Sequence, residues 1–194
     1  SVYPVSQTGS TGMAFEAGAS GKNLTEWQFG MASLNPRWNV SGTYMQVLPS
    51  FISTDQDGND EKEFLLDYFN ELPDLLSMVF LKGYQWPFDV NKIFGGSSVI
   101  DLLVYQETVL KKRRVFLDYR VNPGNLEKDR DLPYASMIPE AKEYLSQAGA
   151  CFGTPIERLK HMNEPAILFY QDHHVDLFKE RLEIAVCAQH NNGG

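Results

Sequence analysis

The chain has 194 residues, 43% of them hydrophobic, so it is long enough to bury the core of one domain. Its formal net charge of −8 opposes contact with a phosphate backbone, and we expect no nucleic-acid partner. The longest apolar runs, 75–81 and 184–188, are far shorter than the roughly 20 residues that span a bilayer, and no basic-then-apolar leader opens the chain. We therefore expect no membrane partner either.

Short helices and strands alternate without a repeat, which is typical of the α+β class. In the first third, the composition predicts a helix over 10–19. Two strands are expected next, in "NLTEWQF" and in "GTYMQVLPSFIST", because both stretches are rich in β-branched and aromatic residues. Pro49 interrupts the second strand.

The middle of the chain is the most strongly helical. Asp60 and Glu63 have the spacing of a capping box, and Pro73 divides the region into two helices before Gly83 ends it. A further helix is expected over 97–112, followed by a strand in "RRVFLDY". The residues expected on the buried face of the first helix are Phe64, Leu65, Tyr68, Phe69 and Leu72.

The last third contains two clear helix starts. Pro139 opens a helix that Gly149 ends, and Thr154 with Glu157 forms a capping box. The segment 180–190 is then expected to be a strand, buried from Leu182 to Ala188, with turn residues after it.

The two cysteines indicate the redox state of the compartment in which the protein works. Cys151 and Cys187 lie on segments of different character and lack the spacing of metal ligands. We interpret both as buried thiols in a reducing environment, which predicts a cytoplasmic protein.

Several motifs with known chemistry are missing. If Gly58 is the sixth position of a calcium loop, the twelfth, which should be Glu, is Phe64. The sequence contains no GxGxxG turn after a strand, no phosphate loop and no GxSxG elbow. His173 and His174 are adjacent in a polar turn, where solvation is more common than metal binding. We predict no metal site.

Two groups of residues each allow a structural and a functional interpretation. The basic run 111–114 follows a predicted helix, so it is expected to complement the helix dipole in solvent rather than to bind nucleic acid. An aromatic group near Gly, Pro and Asn residues can line a ligand pocket or fill a loop-covered core, and the sequence leaves both open. Its members are Trp38, Tyr44, Tyr84 and Trp86, with Arg37 beside them.

The order of the segments resembles the flavoprotein family of fumarate reductase and succinate dehydrogenase, with its L-aspartate oxidase and ketosteroid dehydrogenase relatives. That family has a "TGDGxxMAxxAGA" helix, a "QFHPTG" strand, a capping domain with "SRDVVSR" and "VYLDL", and a returning "PxxHYxMGG" strand. The same order occurs here as "TGSTGMAFEAGA", "WQFGMASL", "GGSSVIDLLVYQETVLKKRRVFLDY" and "EIAVCAQHNNGG". The resemblance covers nearly the whole chain and rests on order and spacing.

The resemblance implies a domain organisation. Residues 1–30 would be a flank of an FAD-binding domain, 31–180 the capping or substrate domain, and 181–194 the strand that returns to the FAD-binding domain. The chain would then be a piece of a longer FAD-dependent oxidoreductase, inactive alone and binding no FAD by itself. An inserted cap leaves and rejoins its host at neighbouring strands, so the segments before Gly30 and after Arg181 are expected to pair or pack together.

The resemblance also implies site residues. His190 matches the family's substrate-binding histidine, and Gly193 and Gly194 would allow the backbone to approach the flavin. Arg37, between Pro36 and Trp38, is the candidate for the catalytic proton-relay or carboxylate-binding group. The implied partners are a small carboxylate-bearing substrate and the rest of the FAD-binding domain.

Three family positions are replaced. The histidine after "QF" falls at Gly30, the acid of "GDG" near Gly9, and the arginine of "SRDVV" near Ser97. Two other hypotheses therefore remain: a cap that has become a ligand-binding or interaction module without redox chemistry, and a free-standing hydrolase, which the missing nucleophile motif opposes.

Overall fold

The computed structural model describes residues 10–22, 27–126 and 132–191, and it has the mixed α+β fold that the sequence predicts. Five strands and six α-helices carry the description below. They are α1 (Ser10–Glu16), β1 (Trp27–Leu34), β2 (Arg37–Asn39), α2 (Thr43–Gln46), β3 (Ser50–Thr54), α3 (Leu72–Tyr84), α4 (Ser98–Tyr105), β4 (Arg114–Asp118), α5 (Pro139–Gln147), α6 (Pro155–Asp172) and β5 (Leu182–Asn191). Short 3₁₀ turns lie at Phe64–Asp67, Val90–Lys92, Pro123–Asn125 and Tyr134–Ser136. No helix in the described ranges is both long and apolar enough to cross a membrane.

The five strands form one antiparallel sheet in the order β2-β1-β5-β4-β3. The first and last strands of the described chain, β1 and β5, are neighbours at its centre. Their register pairs Gln28 with His190, Gly30 with Cys187 and Ser33 with Ile184. The predicted pairing of the segments before Gly30 and after Arg181 is thereby confirmed for the described residues.

One hydrophobic core joins the sheet to the helices. Helix α2 contacts both α3 and α6, while α4 contacts α3 and β5. Met31 and Ile184 from the central strands and Phe80 from α3 are fully buried in this core. The core therefore includes the two central strands as well as the predicted capping segment.

Helix α6 begins as the sequence predicts. Thr154 is its N-cap, and the capping box with Glu157 is complete, with the Thr154 N–H donating to Glu157 Oε2 over 2.9 Å. The helix continues to Asp172, but its backbone leaves the helical region at Asn163. Pro165 explains the break, since proline lacks an N–H and its ring crowds the preceding turn.

Arg158, on the first half of α6, is a fully buried cation without a carboxylate among its hydrogen-bond acceptors. Its guanidinium donates to the carbonyls of Val47, Phe152 and Gly153 over 3.0, 3.0 and 2.6 Å, and to Asn122 Oδ1 over 3.0 Å. Burial lowers the pKa of Arg158 to about 10. One side chain thus joins α6 to three separate segments of the chain.

Several predictions for the middle of the chain are wrong. Residues 43–46 form the helical turn α2 instead of a strand, because Tyr44 and Met45 pack into the core from a helix. The region predicted as a first helix contains only the 3₁₀ turn Phe64–Asp67. Before that turn, Asp60 has a positive φ, and Glu63 accepts a hydrogen bond from the Gly124 N–H over 3.0 Å. Tyr68 is 54% exposed, and α3 extends one residue beyond Gly83.

Burial along β5 is less complete than predicted. Leu182 and Ile184 are buried, but Val186 is half-buried and Ala188 exposed. The interpretation of both cysteines as buried is also wrong: Cys151 is exposed in the loop between α5 and α6, and Cys187 is half-buried, with neither in a disulfide.

The basic run after α4 is used in ion pairs. The helix continues as a π-helical turn, Gln106–Leu110, in which the Lys111 ammonium binds Glu107 over 2.6 Å. Arg113 binds Asp60 over 2.6 Å, and Arg114 on β4 binds Glu183 on β5 over 2.8 Å. The first pair lies within the helical turn, the second reaches the loop after β3, and the third joins β4 to β5. The sequence interpretation did not include these contacts.

The predicted domain boundaries fall close to the central strands. The boundary after residue 30 lies inside β1, and the boundary after residue 180 lies just before β5. The single sheet therefore contains residues of all three predicted segments, and the division into domains stays a prediction.

Candidate functional site

The predicted site residues Arg37 and His190 lie on strands of the same half of the sheet. Arg37 begins β2 and is exposed, and its guanidinium donates to the carbonyl of Ala188 on β5 over 2.8 Å. The backbone of His190 lies two residues further along β5, while its side chain is outside the described residues. The structure therefore brings Arg37 to the strand that carries His190, and Gly193 and Gly194 are outside the described residues.

Gly30 is the position where the resembled family has a histidine, and the structure gives a reason for its small size. The indole of Trp86 lies against Gly30, so that a Cβ at this position would clash with the ring, closest to its Nε1. The N–H of Phe88 donates to the carbonyl of Phe29 over 2.7 Å, which holds the loop after α3 along the end of β1. Trp86 thus occupies the space that a side chain at residue 30 would take.

We expect Gly30→Ala to lower the free energy of unfolding by about 1–3 kcal/mol, because the indole must move to admit the methyl group. Urea denaturation measures the change. In a Trp86→Ala background the same substitution should cost little, and Gly12→Ala in α1, where a Cβ meets nothing within 4 Å, should leave stability unchanged or slightly higher. An equal cost of Gly30→Ala with and without Trp86 would contradict this contact.

A pocket of about 240 Å³ lies beside the same two strands, between them, the loop after α3 and helix α4. We call it the α4 pocket. Its lining residues are Phe29, Phe88, Asp101, Leu102, Tyr105 and Val186. All of its walls except Asp101 are apolar or aromatic side chains, so it is a place where an apolar molecule could lose its contact with water.

The carboxylate of Asp101 forms a buried ion pair with Lys82 of α3. Both side chains are only 1% exposed. The Lys82 ammonium binds Asp101 Oδ2 and also donates to the carbonyl of Gln85 over 3.1 Å. Asp101 Oδ1, in contrast, has no hydrogen-bond partner among the described residues.

Burial changes the proton affinity of this pair. It raises the pKa of Asp101 to about 6, although the nearby Lys82 charge acts in the opposite direction. It lowers the pKa of Lys82, against the effect of Asp101. Both shifts favour the neutral forms of the two side chains.

The loop between α3 and α4 fixes the pair in place. The N–H of Ser97 donates to Gln85 Oε1 over 2.9 Å, and the N–H of Asp89 donates to Ser98 Oγ over 3.0 Å. Both contacts tie the loop to the start of α4, one turn before Asp101. The position that the resemblance aligns with a family arginine, Ser97, is fully buried.

Known proteins offer no further guidance. No protein-family model, curated protein or solved structure matches the chain. A functional proposal therefore rests on the sequence and on the structure of this chain.

The aromatic group that the sequence left open divides in two. Trp38 packs on Phe169 with ring centroids 4.5 Å apart, and Tyr44 contacts Tyr170 edge to face at 5.8 Å. Tyr44 is part of the core and Trp38 packs against it. Burial raises the pKa of Tyr44 to about 12. Trp86 instead lies against the central strand, beside the loop that also supplies Phe88 to the α4 pocket.

The acidic turn and His173 have local structural roles. Asp55 Oδ1 accepts from the N–H groups of Asp57 and Asn59 over 3.0 and 2.7 Å, as in a polar turn. The ring of His173 bonds the Phe169 carbonyl over 2.7 Å. Within ranges 10–22, 27–126 and 132–191, no group of three or more His, Cys, Asp or Glu residues could hold a metal ion.

The Lys82–Asp101 pair was missed at the level of sequence, although a signal for it exists. Lys82 follows Val79 by three residues on the buried face of α3, and Asp101 precedes Val104 by three on that of α4. Charges of opposite sign on the apolar faces of consecutive helices indicate a buried pair, since an unpaired charge is too costly to bury.

Proposed function

We propose that this chain supplies the capping and substrate-binding part of a cytoplasmic FAD-dependent oxidoreductase, of the kind that its sequence resembles. The single observation that carries the proposal is the antiparallel pairing of β1 with β5 at the centre of the sheet. The resemblance requires those two strands to lie side by side, because they are the points where a cap leaves and rejoins its host. The local sequence patterns of β1 and β5 do not by themselves require this pairing.

Two residues are assigned to a carboxylate-bearing substrate. Arg37 contacts β5 through the Ala188 carbonyl and offers a guanidinium, whose planar N–H groups suit a carboxylate. His190 is two residues away on the same strand, where a protonated or neutral imidazole can donate to an anion. In this proposal Arg37 binds or relays a proton to the substrate, and His190 orients it.

The flavin would be held mainly by the rest of the enzyme. The sequence has no GxGxxG turn to receive a pyrophosphate, and Gly193 and Gly194 lie outside the described residues. When bound, FAD would exchange a hydride with the substrate. This chain's residues would cover the substrate, exclude water from it and position its carboxylate.

We expect His190→Ala, made in the intact enzyme, to raise the substrate KM or to lower turnover by about tenfold or more. The reason is the loss of a charge-assisted hydrogen bond worth about 1.5–3 kcal/mol. Steady-state kinetics with the flavin content measured in parallel would show it. His173→Ala, in a histidine that bonds its own helix, is the matched control and should change neither constant.

An unchanged kcat/KM in His190→Ala with full flavin content would show that the residue is structural and would remove its assigned role. An intact protein that binds a ligand but no flavin would instead indicate the alternative function. That alternative is a non-redox ligand-binding or interaction module derived from such a cap.

A further inference from the structure

A second pocket of about 320 Å³ lies between the start of α3, the 3₁₀ turn before it and the loop before α4. We call it the Tyr68 pocket. Tyr68 and Phe94 line it and are 54% and 92% exposed, although the sequence predicts Tyr68 on a buried face. Phe69, Asp74 and Met78 also line it. Large aromatic side chains exposed around one concave surface are typical of a binding site.

The aromatic rings of this pocket are arranged to attract a positive charge. The rings of Tyr68 and Phe69 have centroids 5.1 Å apart and planes at 75°, so they form two sides of a corner. The face of an aromatic ring carries partial negative charge and attracts a cation within about 6 Å of its centroid. Phe94 adds a third ring to the same pocket.

The charge of this region also favours a cation. Asp74 is the one charged side chain among the described residues that line the pocket, it is exposed, and it forms no ion pair with another described residue. Between Lys62 and Lys82 the sequence contains four acids and no Lys, Arg or His. Lys92, in the loop before α4, has its ammonium 3.6 Å from Asp89. A cation in the pocket would therefore lie in a negative surface potential.

The apolar wall restricts which cation fits. A primary ammonium carries three N–H donors, which would lose their hydrogen bonds to water against aromatic and apolar side chains. A quaternary ammonium has no N–H to satisfy, and its methyl groups pack on ring faces. An anion would be repelled by Asp74. The volume of about 320 Å³ accommodates such a head group with a short substituent.

We propose that the Tyr68 pocket binds a small organic cation with a quaternary ammonium group, which lies over the Tyr68 and Phe69 rings and is balanced by the Asp74 carboxylate. The site uses residues other than Arg37 and His190, and it requires no flavin. It therefore stands or falls independently of the proposed oxidoreductase function.

Choline and 3,3-dimethyl-1-butanol, in which carbon replaces the nitrogen, test the role of the charge. The two probes have nearly the same shape, and each has one sharp methyl signal. Proton NMR line width and saturation transfer follow the binding of both to the 194-residue chain. We expect saturable binding of choline and about tenfold or more weaker binding of the neutral isostere. Equal binding of the two probes, or no saturable binding of choline, would overturn the proposal.

Two pocket variants, each with a matched control, locate the site. Tyr68→Leu should weaken choline binding about fivefold or more, whereas Tyr105→Leu, at a similarly exposed tyrosine on α4, should not. Asp74→Asn should weaken it about threefold or more, whereas Asp172→Asn, which removes the same charge from an exposed position on α6, should not. Because all four side chains are exposed, the variants are expected to fold. Unchanged choline binding in either pocket variant would refute the proposal.

Discussion

Arg158→Met should lower the free energy of unfolding by about 3–5 kcal/mol, a large fraction of the stability of a typical domain. Methionine fills a similar volume but donates no hydrogen bond. The carbonyls of Val47, Phe152 and Gly153 and the Asn122 side chain would then lose their buried donor together. Urea denaturation at neutral pH measures the loss, and a reduced yield of folded protein is expected with it.

Lys160→Met is the matched control, because Lys160 lies on the same helix and is exposed. Its cost should stay within about 0.5 kcal/mol. If the two variants were equally stable, the four contacts of Arg158 would contribute nothing net, and its role in joining α6 to the loops would be refuted.

Lys82→Met should be nearly as damaging, with an expected loss of about 3–5 kcal/mol, because it leaves the Asp101 carboxylate buried without a counterion. Replacing both partners, as in Lys82→Met/Asp101→Leu, should restore most of this stability, since a well-packed apolar pair avoids the desolvation of two charges. Chemical denaturation of the single and double variants gives the coupling energy between the two residues.

Lys92→Met is the control for this pair, because Lys92 is 44% exposed and its partner Asp89 is 36% exposed at 3.6 Å. An exposed pair of this kind contributes about 0–1 kcal/mol. A loss for Lys82→Met as small as that for Lys92→Met would show that the Lys82–Asp101 pair is hydrated or dispensable.

Features determined by neighbouring residues were predictable from the sequence. The start of α6 follows from Thr154 and Glu157, whose capping box satisfies N–H groups at the helix start, and from Pro155, which has no N–H to satisfy. The pattern at Asp60 and Glu63 has similar spacing but failed, because Glu63 binds the distant Gly124 N–H instead. Local capping patterns are therefore reliable only where no tertiary contact competes for the same side chain.

The candidate site depends on contacts between distant residues, which local patterns do not predict. Lys82 and Asp101 are 19 residues apart, and their pairing follows from the packing of α3 on α4. The pairing of β1 with β5 was expected only from the order of motifs in the resembled family. The packing of the Trp86 indole against Gly30 could not be predicted from the sequence, because an aromatic residue in a loop can face either a core or a ligand.

The flavin content of the complete polypeptide encoded by the reading frame that contains this chain is the most direct test of the proposed function. We predict that the complete polypeptide is yellow and releases one FAD per polypeptide on denaturation. The isolated 194-residue chain should neither bind FAD nor quench its fluorescence. A well-folded complete polypeptide that binds no flavin when FAD is supplied would contradict the proposal, as would saturable micromolar binding of FAD by the isolated chain.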